Sequence, residues 1–186
     1  MPAWRDWKMA LLVLLLGLLS VPSQAAGGVH VVVDTGAGTL RVFDGERVVA
    51  TFDDISIGRF GVTGDKRRGD NKTPLGHFRI GWIARRTHYH RFLGLTYPNL
   101  EIASKAFANG LIDKTDWLAI RHAEKTGDVP PQHTPLGGMI GIHGLGKGDP
   151  DVHQRYNWTN GCVALTNEEI DRLMSWVHIG TPIEIR

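Results

Sequence analysis

The chain has little with which to staple or anchor itself. Its 186 residues contain one cysteine, Cys162. A single thiol forms no intramolecular disulfide and cannot build a cysteine-based zinc site. The formal net charge is only +2, with 21 basic and 19 acidic residues. That excludes the strongly basic surface of a nucleic-acid binder, and no nucleic-acid partner is expected. No apolar run reaches the length of about 20 residues that an ordinary membrane span requires. Long repeats and low-complexity segments are also missing, and the length suits one domain with a real core.

The longest apolar run, Met9 to Leu19, has a different reading. Arg5 and Lys8 precede it, and Ser23-Gln24-Ala25 follows with small residues at the −3 and −1 positions of a cleavage site. Residues 1–25 are expected to be a signal peptide and 26–186 the exported domain, in the periplasm or cell envelope. An uncleaved N-terminal anchor is the alternative. No cysteine lies near the run, so it is not a lipoprotein signal. In an oxidising compartment a lone cysteine is either buried and inert, or used. The glycine-flanked, polar setting of Cys162 favours use.

Most of the mature chain reads as strands. Val29–Val33 is a β-branched run, Thr39–Phe43 alternates, and Asp44-Gly45 signals a hairpin to Val48–Phe52. A polar loop from Gly64 to Thr73 carries Lys66, Arg67, Arg68 and Lys72. It is either a solvated turn or a rim that attracts substrate carboxylates. Leu75–Ile83 returns to alternation. Arg85 to Pro131 changes character and reads as a helical insertion. Its two helices span Leu100–Ala108 and Lys114–Lys125, with Asn99 and Asp113 as N-caps. Thr-Pro-Leu-Gly occurs at Thr73–Gly76 and again at Thr134–Gly137, in both places as an expected type I turn. Thr166-Asn167-Glu168-Glu169 is a capping box, followed by an amphipathic helix and a last strand at Pro182–Ile185.

The chemistry concentrates in Met139–Thr166. His143 and Cys162 sit at the ends of two apolar, strand-like runs with a glycine-rich loop between them. A thiol and an imidazole brought together make a nucleophile and its base. The expectation is that His143 takes the thiol proton and holds the thiolate as an ion pair. Amide N–H groups near Gly161 and Cys162 are candidates for an oxyanion hole. Tyr156 and Trp158 either wall the pocket or simply pack. His88 and His90, with His122 or His133, are the only metal-ligand candidates. No cysteine or acidic partner completes them, so no metal and no cofactor are expected.

These residues resemble the L,D-transpeptidase catalytic domain family of the YkuD type. That family carries a histidine, a short stretch, and then Ser/Thr-x-Gly-Cys. Here His143 is followed by 15 residues and then Thr159-Asn160-Gly161-Cys162. Thr73-Pro74-Leu75-Gly76-His77-Phe78-Arg79-Ile80 looks like the family's TP-x-G-x-F-x-I stretch, and the opening hairpins and Gly180-Thr181-Pro182-Ile183 are similar too. The resemblance implies a mainly β, β-sandwich-like catalytic fold with α additions, and a cysteine acyl-enzyme acting on peptidoglycan stem peptides in cell-wall biogenesis and cell shape. It implies Cys162 as nucleophile, His143 as base and the Gly144 carbonyl as third member, with Thr159 and Gly161 shaping the cysteine loop. Two positions depart from the pattern. Asn160 stands where the family often has histidine, and Ala164 where it often has Arg or Asn. Both are expected beside the substrate carboxylate or the oxyanion, so hydrolysis is expected to compete with transfer. The Trp158–Ile170 stretch, WTNGCVALTNEEI, looks more like the YafK-type branch. That branch includes an enzyme that hydrolyses a lipoprotein–peptidoglycan bond, so a peptidoglycan-linked lipoprotein is a further candidate partner. A wall-binding module with a dead site is the reading from outside enzymology.

Overall fold

β-Branched and alternating runs supply one sheet around which everything else is laid. The computed structural model describes residues 27–186, and the expected signal peptide lies outside them. β1 (Val29–Asp34), β2 (Thr39–Asp44) and β3 (Arg47–Phe52) form an antiparallel meander. β4 (Val62–Thr63) and β5 (Thr73–Pro74) make a small parallel pair. β6 (Gly76–Thr87) and β7 (His90–Leu95) form a long hairpin. After α1 (Leu100–Ala108) and α2 (Lys114–Thr126) come β8 (Gly141–His143), α3 (Pro150–Arg155), β9 (Val163–Ala164), α4 (Asn167–Leu173) and β10 (Pro182–Ile185). The order in the large sheet is β3-β2-β1-β10-β6-β7-β8-β9. β1 is parallel to β10 and β8 to β9, and the remaining neighbours are antiparallel.

The core follows the alternation of the strands. Leu40 and Val42 of β2, Phe78 and Ile80 of β6, and Ile183 and Ile185 of β10 are buried together. Ile102, Ala103 and Ile120 bring α1 and α2 onto it, and Ile170 and Leu173 bring α4. The caps fall where the side chains require them. Asn99 accepts from Ile102 N–H, Asp113 from Asp116 N–H, and Thr166 and Glu169 complete both halves of the capping box. No helix among the described residues is long and apolar enough to cross a membrane.

Three expectations change. The helical segment begins at Leu100, not near Arg85, because β6 runs on to Thr87 and pairs with β7. The polar Arg85-Arg86 end masks that strand in the sequence. The two Thr-Pro-Leu-Gly segments also part company. Thr134–Gly137 closes a turn, with Gly137 N–H donating to the Thr134 carbonyl at 2.9 Å. Thr73–Gly76 is extended instead, since Thr73 and Leu75 donate to the carbonyls of Gly61 and Thr63. Finally, the basic loop is largely structural. Lys66 is buried and paired with Asp70, and Arg68 donates to the Thr134 carbonyl at 3.1 and 2.7 Å.

β9 lies at the end of the sheet order, yet its outer side is covered. Ser56 N–H donates to the Ala164 carbonyl at 3.1 Å, and Ala164 N–H returns the bond at 2.7 Å. One step further along, Arg59 N–H donates to the Thr159 carbonyl at 2.9 Å and Thr159 N–H to that of Ile57 at 3.1 Å.

Candidate active site

The parallel pairing of β8 and β9 brings the two halves of the site together. Ile142 faces Val163 and His143 faces Ala164, so Cys162 enters β9 beside the end of β8. His143 and Cys162 line one cavity of 460 Å³, together with Trp158, Thr159 and Asn160.

A loop whose own polar groups are spent on holding its shape presents the cysteine. The Thr159 hydroxyl donates to the Cys162 carbonyl at 2.7 Å and accepts from Gly161 N–H at 3.1 Å. The Thr73 hydroxyl reaches the same carbonyl at 3.4 Å and accepts from Gly58 N–H at 2.8 Å. Gly161 has φ of 130°, and a Cβ there would lie 2.7 Å from the Lys72 carbonyl oxygen. Only glycine fits. Gly161 N–H, one of the two expected oxyanion-hole donors, is engaged by the Thr159 hydroxyl. The Cys162 N–H is the remaining candidate of the pair.

The imidazole is held on both its edges and its faces. His143 is 1% exposed. Its Nδ1 lies 2.7 Å from the Gly144 carbonyl oxygen. A carbonyl only accepts, so this contact assigns the proton to Nδ1 and the lone pair to Nε2. Tyr89 stacks on the ring at 4.0 Å between centroids, Phe92 lies beyond at 6.1 Å, and Trp158 meets it edge-on at 5.7 Å.

This enclosure works against the expected ion pair. Burial is the largest influence on His143 and lowers its pKa to about 4. The Gly144 carbonyl works in the opposite direction, and His88 and His153 lower it further. Burial likewise pushes the Cys162 thiol up to about 11, against smaller opposing effects of the Gly141 N–H and the Lys66 ammonium. Burial thus favours the neutral form of both partners. The thiol, half-buried, points to the Met139 carbonyl at 3.5 Å. Met139 itself holds φ of 56°, a left-handed conformation uncommon for a residue with a side chain.

The other site candidates divide. Trp158 lines the cavity, whereas Tyr156 is 65% exposed and stays outside it. Asn160 is at the mouth, where its Oδ1 accepts from Arg59 Nη2 at 2.7 Å. Ala164 is fully buried between Ser56 and β8 and does not reach the cavity, so it offers no place for a substrate clamp. His90 pairs with Asp171 at 2.7 Å, while His88 lines the cavity. Among the described residues no three His, Cys, Asp or Glu side chains group as metal ligands.

Sequence reasoning missed Arg59, Trp82, Tyr89 and Phe92, all of which line the cavity. The aromatics come from the β6–β7 hairpin, where Phe78 and Ile80 fill the core but Trp82 and Ala84 farther along face the cavity. Arg59 carries no local signal; only the pairing of residues 57–59 with Thr159 brings it to the site.

Comparison with known proteins agrees with this arrangement. The family model for YkuD, the L,D-transpeptidase catalytic domain, matches residues 28–185. No curated protein sequence is similar enough to match. Among solved structures, the helical cell shape determining protein Pgp2 from Campylobacter jejuni superposes with a TM-score of 0.56 at 23% identity, over 86% of this chain and 48% of that one. Bd1075 from Bdellovibrio bacteriovorus gives 0.56 at 20% identity, over 87% of this chain and 49% of that one. The chain thus spans about half the length of these two relatives, and the likeness is one of fold. With the family model matched across the whole described fold, the chain belongs to the YkuD family of L,D-transpeptidase catalytic domains.

Proposed function

We propose that the protein is an exported, cysteine-dependent acyltransferase acting on peptidoglycan stem peptides. The observation that carries this reading is the opening of Cys162 and His143 into one cavity, with the imidazole tautomer set by Gly144. Nε2 of His143 takes the thiol proton, and the sulfur attacks the carbonyl of an L-centre in the peptide. Since burial favours the neutral form of both groups, we place the transfer in the bound complex, where the peptide displaces water from the aromatic cavity. The Cys162 N–H donates to the developing oxyanion. The C–N bond to the D-amino acid then breaks, and His143 returns the proton to the leaving amine.

The thioester next meets an amine or water. Attack by an amine, with His143 again as base, yields a cross-link and restores the thiol. Attack by water yields a shortened peptide, and the same thioester serves a lipoprotein–peptidoglycan linkage if that is the acyl donor. Export is read from Arg5 to Ala25, and a place in wall remodelling and cell shape accords with the substrate. The experiment is mass spectrometry of muropeptides after incubation with the protein, alongside the intact mass of the enzyme. Thioester on Cys162 with cross-linked dimer supports transfer, and thioester with hydrolysed peptide alone reassigns the enzyme as a hydrolase. Unchanged muropeptides and unmodified Cys162 overturn the reading in favour of a wall-binding module.

A further inference from the structure

The cavity is walled by Trp82, Tyr89, Phe92 and Trp158, and no Asp or Glu lines it. Arg59 stands at its mouth as the only Arg or Lys in the lining. Its main chain is fixed, because Arg59 N–H donates to the Thr159 carbonyl at 2.9 Å, three residues before Cys162. Its side chain is fixed as well. Nη2 donates to Asn160 Oδ1 at 2.7 Å and to the Trp158 carbonyl at 3.3 Å. Both partners belong to the cysteine loop. The Nε and Nη1 donors have no partner among the hydrogen bonds of the described residues, and the side chain is exposed.

A guanidinium has five N–H donors in a planar fork, and a carboxylate accepts two of them side by side. Here one nitrogen is used to orient the group and the others remain available. Holding a long, rotamer-rich side chain before the ligand arrives removes part of the ordering cost of binding. Asn160 thus acts through Arg59: its amide oxygen positions the guanidinium, while the buried Ala164 contributes no polar group at all.

We infer that Arg59, oriented by Asn160, is the carboxylate-recognising residue of this site, and that it binds a free carboxylate of the donor peptide. This rests on the peptide reading given above. The shared chemistry is an anion beside the scissile bond, with two sources on a peptide: the C-terminal carboxylate of the leaving D-amino acid, or a side-chain carboxylate.

Binding is measured separately from turnover, with the Cys162→Ala protein and three forms of one stem tetrapeptide: the free acid, its C-terminal carboxamide, and a form amidated only at side-chain carboxylates. Loss of a charge-assisted contact weakens binding by about ten- to a hundredfold. One of the two amidated peptides should bind weaker by that factor, and which one identifies the source. In Arg59→Gln the free acid should fall to the level of that amide while the amide itself stays unchanged. Arg59→Lys should restore part of the difference, since it keeps the charge and loses the fork. The acid preference should also hold from pH 6 to 8, where a contact to an imidazole would fade. Equal binding of all three peptides overturns the inference. So does an equal loss for acid and amide in Arg59→Gln, which would mark a purely structural arginine. Failure of the reading it rests on looks different: acid-selective, Arg59-dependent binding with no thioester on the unmutated protein would leave the recognition standing and remove the chemistry.

Discussion

His143 sits on a paired strand, whereas Cys162 sits on an irregular loop. The imidazole is fixed by β7 on one side, β9 on the other and aromatic rings on its faces. The sulfur is held more loosely, by a long 3.5 Å contact to the Met139 carbonyl and by hydroxyls that grip the Cys162 carbonyl. The proposed base is therefore built like core, and the proposed nucleophile like a ligand-facing turn. Rigidity falls on the group that must keep one tautomer, and exposure on the group that must meet substrate.

The sharpest way to break this comparison is to remove the sulfur. Cys162→Ser should lower turnover of a stem peptide by several orders of magnitude with an unchanged circular dichroism spectrum, because a hydroxyl is a far weaker nucleophile here. Retained activity would end the thiol mechanism. His143→Gln should follow, with a loss of roughly 10²–10⁴-fold in kcat.

The resting charge state separates the two halves by pH. With the thiol pKa at about 11, alkylation of Cys162 by a small neutral reagent should keep rising with pH beyond the ordinary thiol range of about 8.5. His143→Gln should leave that profile nearly in place. A midpoint well below the ordinary range would restore the ion pair. The imidazole gives the opposite signature, in stability. Its folded pKa of about 4 lies below the ordinary 6.5, so the unfolded chain takes up the proton first as pH falls. Stability is full above about 6.5 and drains as pH falls toward 4, by on the order of 2–3 kcal/mol, and His143→Gln should remove that component from urea titrations.

Smaller effects sharpen the contrast on the loop side. Thr159→Val strips the hydrogen bonds from the Cys162 carbonyl and Gly161 N–H, and should cost roughly 1–3 kcal/mol in a urea titration and reduce kcat. Thr73→Val also loses the bond its hydroxyl accepts from Gly58 N–H, but its reach to the Cys162 carbonyl is longer, so it should reduce kcat by less. Equal losses from the two would mean that the loop is gripped from both sides alike.

The sequence was legible where the signal is local. The capping box at Thr166, the N-caps Asn99 and Asp113, and the strand ends flanking His143 and Cys162 all rest on neighbours within a few residues. Long-range pairing hid the rest. Thr73 and Thr134 begin identical tetrapeptides, and only the partners across the fold make one extended and the other a turn. The family resemblance points to Ala164 as a site position. Pairing on both sides of β9 buries it, and Arg59 supplies the cation from a segment with no motif of its own.

The cover that residues 56–59 place along β9 has a consequence for how a peptide is read. A bare edge strand beside a reactive group offers a ladder of amides on which an extended peptide can zip up by main-chain bonds alone, whatever its side chains. Here Ser56 and Arg59 have already taken that ladder. An extended peptide therefore finds no open strand edge at Ala164 or at Thr159. Recognition then falls less on a shared main-chain ladder than on the chemical groups a ligand carries into the cavity.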